Sequence, residues 1–257
     1  MSVVHLDING PVAELRLDNP SKLNALTMDM IDAVDAHCGT IESTRSVRAV
    51  LVTAEGDRAF CVGADIKEWA ALDARSFARD WVRKGHRVFD RLARLPVPVI
   101  GVLSGHAFGG GLELAATCDL RVATDAATFS LPETTVGIVP GWSGTQRLAR
   151  QIPPAVLKEM ALTGARISAR RAYDIGFLNA TADDPRTAAQ NIADRIAATA
   201  PQATETTKWL ISAAIEEDAA ASVEALAGAA MAATAEKAEG VGAFAEKRKP
   251  NFGKGSS

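Results

Sequence analysis

The chain has 257 residues, which is ample length for a sizeable hydrophobic core in one large domain or in a core with a small appendage. Its 28 Lys and Arg against 31 Asp and Glu leave a net charge of −3, which argues against a nucleic-acid-binding surface or a polybasic membrane anchor. Three scattered cysteines (Cys38, Cys61 and Cys118) form no metal-ligand spacing or disulfide framework. No apolar run reaches the length of a membrane span, and the first residues lead directly into a strand pattern, so we expect a cytoplasmic protein.

Strand and helix patterns alternate through the first half of the chain. Asn9-Gly10 separates two apolar segments and predicts a β-hairpin, because this dipeptide readily adopts the positive φ angles of a tight turn. Thr27 is a predicted N-cap for a helix that runs to about Cys38. Further strands are predicted at 47–53, 59–62, 97–103, 119–123 and 129–131, and helices at 76–95 and 112–118. Two similar passes of strands, a glycine turn and a helix predict a layered α/β core.

The strand signal fades after Gly144, and helical patterns dominate the rest of the chain. We predict helices at 146–151, 155–162, 168–175, 186–198, 202–215 and 219–239. The last three are rich in alanine, which permits close packing onto the core or onto neighbouring subunits. Residues 251–257 are expected to be disordered.

Two glycine-containing turns, Gly63-Ala64 and Gly109-Gly110-Gly111, each follow a predicted strand. If these strands are neighbours in one sheet, both turns open at the same edge, and two backbone N–H groups can form an oxyanion hole. Glu113 lies just beyond the second turn, and Glu133 follows twenty residues later. On its own this stretch also fits a tight strand-to-helix turn with two solvated acids.

Motifs in the same order along nearly the whole chain resemble those of the enoyl-CoA hydratase/isomerase (crotonase) family. They are LNAL at 23–26, FCVGADIKE at 60–68, GHAFGGGLELA at 105–115, CD at 118–119, PE at 132–133, PGWSGTQRL at 140–148, LTG at 162–164 and AFAEKR at 243–248. The resemblance implies an α/β fold, a crotonase-type spiral of ββα units over residues 1–195 that carries the acyl-CoA site. It also implies a C-terminal α-helical region, residues 196–257, that builds trimers and often hexamers.

The resemblance also assigns roles to individual residues. It places the oxyanion hole at the N–H groups of Ala64 and Gly110, and the catalytic glutamates of the family's hydratases at Glu113 and Glu133. It further implies a thioester and pantetheine path along Ala64, Asp65, Ile66 and Lys67, and a nucleotide-end surface at Lys22 and Leu23. The implied ligand is an acyl-CoA thioester with coenzyme A as part of the substrate. No separate cofactor or metal, nucleic acid or membrane is expected.

The expected reaction is that of an enoyl-CoA hydratase, the reversible addition of water to a trans-2-enoyl-CoA. Two carboxylates that share one proton can hold the water and relay the proton, with Glu133 as the main proton-transfer group and Glu113 as the partner that orients the water. An enoyl-CoA isomerase, another acyl-CoA lyase of the superfamily and a non-catalytic scaffold that binds acyl-CoA or RNA remain the alternatives. The intact pair of glutamates argues against the scaffold.

Other candidates have simpler interpretations. Cys61 fits a buried core residue better than a nucleophile, because no base is identifiable near it, and His106 fits a structural role. Trp81 and Phe89 fit the core better than the acyl-pocket lining, and the basic residues between 79 and 94 fit a solvated helix face.

The chain departs from the usual family pattern at two places. Trp142-Ser143 stands where relatives commonly carry small residues, and Ile152-Pro153-Pro154 replaces a Val-Gly type turn. A large indole close to Glu133 in sequence is expected to line the substrate site and to reshape or shorten the acyl pocket.

Overall fold

The structure is a computed structural model that describes residues 2–215, 225, 227–228, 230 and 232–251. The chain divides into two compact units, Met1–Thr204 and Glu205–Ser257. The division predicted at 195/196 stays a prediction.

Ten strands form two sheets in the described part of the first unit. In spatial order, the first sheet contains β1 (Val3–Asn9), β2 (Val12–Asp18), β3 (Ala49–Ala54), β5 (Val99–Leu103), β7 (Leu120–Ala123) and β10 (Ala180–Thr181), and the second contains β4 (Ala59–Cys61), β6 (His106–Phe108), β8 (Thr128–Ser130) and β9 (Ile167–Ser168). Three successive strand pairs, β3/β4, β5/β6 and β7/β8, each contribute one strand to each sheet. This repeat is the spiral of ββα units, and it confirms the predicted fold class.

Helices cover the sheets and connect their strands. The described helices are α1 (Met28–Ser43), α2 (Ile66–Trp69), α3 (Ala74–Ser76), α4 (Arg83–Ala93), α5 (Gly110–Ala115), α6 (Gly144–Gln151), α7 (Pro154–Thr163), α8 (Ala169–Asp174), α9 (Pro185–Ala197), α10 (Pro201–Ala214) and α11 (Ala235–Ala245). A π-helical segment, Phe77–Val82, joins α3 to α4, and 3₁₀ turns span Pro20–Lys22 and Glu133–Val136. Helices α1 and α4 pack together, while α9 packs on the first sheet.

The hairpin and the first helix begin where the sequence predicts. β1 and β2 pair antiparallel from Val3 opposite Asp18 to Asn9 opposite Val12, and Gly10 adopts a φ of 61° in the turn. The hydroxyl of Thr27 accepts a hydrogen bond from the N–H of Met30 at 3.3 Å. Local turn and capping chemistry is therefore enough to specify both features.

Helix α1 runs five residues beyond its predicted end near Cys38, because Gly39 does not break it. A Cβ atom at Gly39 would lie only 3.1 Å from a guanidinium nitrogen of Arg91. The guanidinium crosses the helix there and forms ion pairs with Asp35 and Glu42. Arg91 of α4 thus contacts α1 at Gly39, one residue beyond the predicted end of the helix.

The C-terminal helical prediction is confirmed for α9 and α10. Part of the helix predicted at 219–239 lies outside the described residues. Its predicted end is wrong, because Thr234 caps a new helix, α11, by accepting a hydrogen bond from the N–H of Lys237. Disorder was predicted for residues 251–257. The N–H of Asn251 donates a hydrogen bond to Glu239, and residues 252–257 lie outside the described part. Trimer or hexamer formation stays a prediction. Within the described residues, every helix is too short or too polar to cross a bilayer.

Candidate active site

The two glycine turns lie side by side at the ends of adjacent strands. β4 and β6 are parallel neighbours in the second sheet, so the turns that follow them leave the sheet at the same edge. Gly63 (φ 108°) and Gly109 (φ 52°) adopt left-handed conformations that favour glycine. A Cβ atom on Gly111 would lie 2.8 Å from the Cβ atom of Cys61, so the second turn can approach the first only with glycine there.

The N–H groups of Ala64 and Gly110 meet where these turns approach each other. A Cβ atom at Gly110 would lie 3.6 Å from the nitrogen of Ala64, and one at Gly63 would lie 3.4 Å from the nitrogen of Gly110. Within the described part of the chain, neither N–H donates a hydrogen bond, and both residues line one cavity. Two unpaired donors that face one cavity suit the binding of a developing oxyanion.

Glu113 lies in the first turn of α5, three residues after Gly110, and is only 2% exposed. Its Oε1 atom accepts hydrogen bonds of 2.8 Å from the backbone N–H groups of Trp142 and Gly144. A Cβ atom at Gly144 would lie 2.5 Å from Cγ of Glu113, so glycine is needed for this approach. The turn at 142–144 therefore fixes the position of the carboxylate.

Glu133 begins the 3₁₀ turn that follows β8 and is 8% exposed. Its Oε1 atom lies close to the other glycine turn, because a Cβ atom at Gly109 would be 3.1 Å away. Its Oε2 atom is buried and has no hydrogen-bond partner among the described residues. An unsatisfied buried oxygen in a cavity is available to a ligand or to water.

The two carboxyl groups differ in their electrostatic environment. Burial raises the pKa of Glu113, and the N–H groups of Gly144, Trp142 and Gly141 oppose that rise by stabilising the charged form. Burial and, to a smaller extent, the negative charge of Glu113 together raise the pKa of Glu133 to about 7. The pair therefore favours a state with one proton, which Glu133 carries near neutral pH.

The cavity has a volume of about 160 Å³ and brings together most of the predicted site. Ala64, Ile66, Gly110, Glu113, Glu133 and Trp142 all line it. The indole of Trp142 is 2% exposed and packs against the rings of Trp81 and Phe89, with centroid distances of 5.1 and 5.3 Å.

The other predicted substrate-binding residues lie outside this cavity. Lys22 forms a 2.5 Å ion pair with Asp65, whose other oxygen caps α2 by accepting from the N–H of Lys67. This ion pair and the cap lower the pKa of Asp65, which keeps its carboxylate charged. Leu23 lines a separate small cavity beside Gly56. Their proposed contact with coenzyme A stays a prediction.

The simpler interpretations of the other candidates agree with the structure, with one addition. Cys61 is buried, and burial raises its pKa to about 12, which disfavours the thiolate that a nucleophile requires. His106 is half-buried, with Nδ1 at 3.0 Å from the hydroxyl of Thr128 and its ring stacked on Phe108. Phe89 and Trp81 are both core residues, as expected, and Trp81 also lines the cavity.

Three features of the site escape sequence reasoning. Gly85 in α4 leaves room for the indole of Trp142, the half-buried His86 contacts Ser143 with 2.5 Å between Nδ1 and Oγ, and Gly144 admits Glu113. The isolated glycine within a helical pattern was the one available signal, since such a glycine often has a packing reason. The described residues contain no cluster of three or more His, Cys, Asp or Glu side chains suited to hold a metal ion.

Comparisons with known proteins agree with this arrangement. The sequence profile of the enoyl-CoA hydratase/isomerase family matches residues 7–255. The chain belongs to this family. It is 39% identical over 249 residues to a putative enoyl-CoA hydratase/isomerase of Bacillus subtilis, and the alignment covers 94% of each chain. It is 36% identical to the short-chain-enoyl-CoA hydratase of Clostridium acetobutylicum, over 96% of this chain and 95% of that protein.

Solved structures support the same assignment of fold. The crystal structure of an enoyl-CoA hydratase from Bacillus anthracis superposes with a TM-score of 0.81 at 33% identity, covering 97% of this chain and 98% of that chain. An enoyl-CoA hydratase of Mycobacterium smegmatis gives a TM-score of 0.79 at the same identity, with 97% and 98% covered. The crotonase fold of this family member therefore rests on both its strand topology and its neighbours.

Proposed function

We propose that this family member is an enoyl-CoA hydratase, which adds water reversibly to a trans-2-enoyl-CoA and forms the 3-hydroxyacyl-CoA. One observation carries the proposal. A single cavity contains two N–H groups and two buried carboxyl groups; among the described residues, neither N–H donates a hydrogen bond, backbone donors hold Oε1 of Glu113, and Oε2 of Glu133 has no partner. This arrangement supplies both an electrophile-activating group and a proton-transfer pair.

In the proposed mechanism, the thioester oxygen accepts hydrogen bonds from the N–H groups of Ala64 and Gly110. As water adds to Cβ, negative charge moves through the conjugated system onto this oxygen, so the donors bind the enolate-like state more strongly than the substrate. The loss of one such donor typically lowers the rate by about 10²–10³-fold. The protein contributes these donors and the two carboxyl groups, and the substrate contributes the thioester.

The carboxyl pair transfers the protons. Glu113, held by the turn at 142–144, orients the water and receives one of its protons as the oxygen bonds to Cβ. Glu133, with its pKa raised to about 7, gives its proton to Cα. The pair holds one proton before and after the addition, so atoms and charge balance. The product leaves with H and OH added to the same face, because both carboxyl groups act from one side of the substrate.

The same cavity could serve an isomerase that moves the double bond with Glu133 alone. The backbone donors that hold Glu113 favour the hydratase, since an isomerase gives this carboxylate no water to orient. The test is the absorbance of the conjugated enoyl thioester. A hydratase bleaches it with crotonyl-CoA, an isomerase creates it from a 3-enoyl-CoA, and a scaffold does neither. Creation from 3-enoyl-CoA without bleaching of crotonyl-CoA would overturn the proposal.

A further inference from the structure

We infer that Trp142 and Gly85 together form the end wall of the acyl pocket and restrict the substrate to short acyl groups. This inference rests on the proposed function for its assignment of the cavity to an acyl thioester. It names a substrate class and adds Gly85, a residue outside the cavity lining, as a determinant of specificity.

The indole of Trp142 lies between two glycines on different helices. On one edge, a Cβ atom at Gly110 would lie 3.1 Å from Cε3 and from Cζ3 of the indole. On the opposite edge, a Cβ atom at Gly85 would lie 2.6 Å from Cδ1 and closer still to Nε1. The ring thus extends from α5 to α4, leaves no room for a side chain at Gly85 and would crowd one at Gly110.

The indole is held firmly in this position. Its Nε1–H donates a 3.3 Å hydrogen bond to the carbonyl oxygen of Trp81, and the rings of Trp81 and Phe89 pack against it. The next residue, Ser143, adopts a left-handed conformation with a φ of 78° and contacts His86 of α4. The backbone therefore contacts α4, and the side chain contacts α4 and the π-helical segment that precedes it, so contacts on both hold the indole in place.

The wall stands close to the reacting atoms. Gly110 provides one of the two donors for the thioester oxygen, and the indole edge contacts Gly110 itself. An acyl chain that leaves the carbonyl carbon in this direction reaches the indole after a few atoms. The cavity volume of about 160 Å³ agrees, because an apolar cavity of about 150 Å³ accommodates benzene, a group of six carbons. Part of this volume must also hold the thioester and the water, which leaves space for a short acyl group.

Gly85 is needed for the wall. Glycine inside a helix is unfavourable relative to alanine because of its backbone entropy, and α4 nevertheless carries it at the indole contact. Any side chain at this position would occupy the volume of the ring. The two residues are therefore a complementary pair, in which a small residue on α4 permits a large one at the end of the pocket.

The first experiment measures binding, which needs no turnover. Calorimetric dissociation constants for butyryl-, hexanoyl-, octanoyl- and decanoyl-CoA are compared between the wild-type protein, Trp142→Gly and the milder Trp142→Leu. We expect the wild-type protein to bind octanoyl-CoA no more tightly than butyryl-CoA, and Trp142→Gly to raise the octanoyl preference at least about tenfold, since one or two methylenes in an apolar pocket change affinity by that order. Trp142→Leu should give a smaller change in the same direction.

The second experiment exchanges the sizes of the two residues. In Gly85→Leu/Trp142→Gly, the leucine enters the volume that the indole vacates, and the preference for short chains should return. Trp69→Ala is the matched control, because Trp69 lines the same cavity and packs against Phe77 at a centroid distance of 5.9 Å. We expect this variant to change binding by a similar factor for all chain lengths.

Two results would overturn the inference. One is a wild-type protein that binds octanoyl-CoA much more tightly than butyryl-CoA, as an open pocket would. The other is an octanoyl preference that stays within about twofold of wild type in both Trp142 variants, with folding verified by circular dichroism. If the chain-length series behaves as expected but no enoyl-CoA is hydrated, the proposed function fails and the pocket assignment stands.

Discussion

Glu113 and Glu133 enter the same cavity from two segments of opposite character. Glu113 lies on a helix inside the core, and two backbone donors hold one of its oxygens. Glu133 lies on a short 3₁₀ turn next to exposed residues, including Val136 and Val139, and one of its oxygens has no partner among the described residues. The core segment fixes a carboxylate in place, whereas the turn segment leaves a carboxyl group free to exchange a proton.

This contrast shows how one fold separates two roles for the same side chain. Both groups are buried, so desolvation raises both pKa values. The difference lies in the backbone donors, which favour the ionised form of Glu113 and are largely missing at Glu133. In the proposed mechanism, the proton therefore resides on Glu133, the group that delivers it to Cα.

The largest expected effect comes from removing either carboxylate. Glu113→Gln and Glu133→Gln should each lower kcat for hydration of crotonyl-CoA by about 10²–10⁴-fold, the usual contribution of a positioned acid or base. Because the two groups act on one water and one proton, the double variant should lose far less than the product of the single effects. Steady-state kinetics with all three variants measures this. Undiminished hydration in Glu113→Gln would exclude the two-carboxylate mechanism.

A smaller effect is expected from disturbing the turn that holds Glu113. In Gly144→Ala, the new methyl group would lie 2.5 Å from Cγ of Glu113 and should displace it, which lowers kcat by up to about 10²-fold. Overpacking should also destabilise the fold by about 1–3 kcal/mol, measured by urea unfolding. Gly242→Ala, where a Cβ atom would meet nothing within 4 Å, is the matched control and should retain activity. Equal kinetics in the two variants would show that the turn does not position Glu113.

The proton on Glu133 gives hydration a defined pH dependence. The active pair carries one proton, so kcat/KM should fall as the pH rises through about 7, with a limiting slope of about tenfold per pH unit. Binding of butyryl-CoA over the same pH range serves as the control, because a parallel loss of binding would assign the fall to affinity. A rate that stays constant to pH 9 would mean that Glu133 is not the acid.

The smallest expected effect concerns stability. The raised pKa of Glu133 means that the folded protein binds this proton more tightly than the unfolded chain does. Its contribution to stability is therefore present in full below the unfolded pKa of about 4.3 and is lost as the pH rises to about 7. Glu133→Gln has no carboxyl group to ionise and therefore avoids this loss. At alkaline pH its free energy of unfolding should exceed that of the wild type by on the order of 2 kcal/mol, and the difference should shrink towards acid pH. Unfolding curves at several pH values test this, and a gain independent of pH would contradict it.

Sequence reasoning succeeded where the controlling interactions are local or where a motif is contiguous. The Asn9-Gly10 hairpin and the Thr27 cap follow from residues a few positions apart, and the two glycine turns follow from their own backbone requirements. Reasoning from the residues alone predicted two glycine turns. It could place them at the same edge of a sheet only on the condition that their strands are neighbours. The resemblance then named Ala64, Gly110, Glu113 and Glu133, which the structure places around one cavity.

The chain by itself thus determined the family, most of the longer strands and helices, and the residue types at the site, because these depend on short patterns and contiguous motifs. The short strands β6, β9 and β10 were not predicted. Tertiary structure alone decided the rest. The donors that hold Glu113 come from residues 29 and 31 positions away, and Trp142 bonds to Trp81 across 61 positions. Such contacts exist only after the spiral has formed, when burial also shifts the pKa of Glu133. Trp142 was visible in the sequence as an unusual residue, but only packing showed that Gly85 makes room for it.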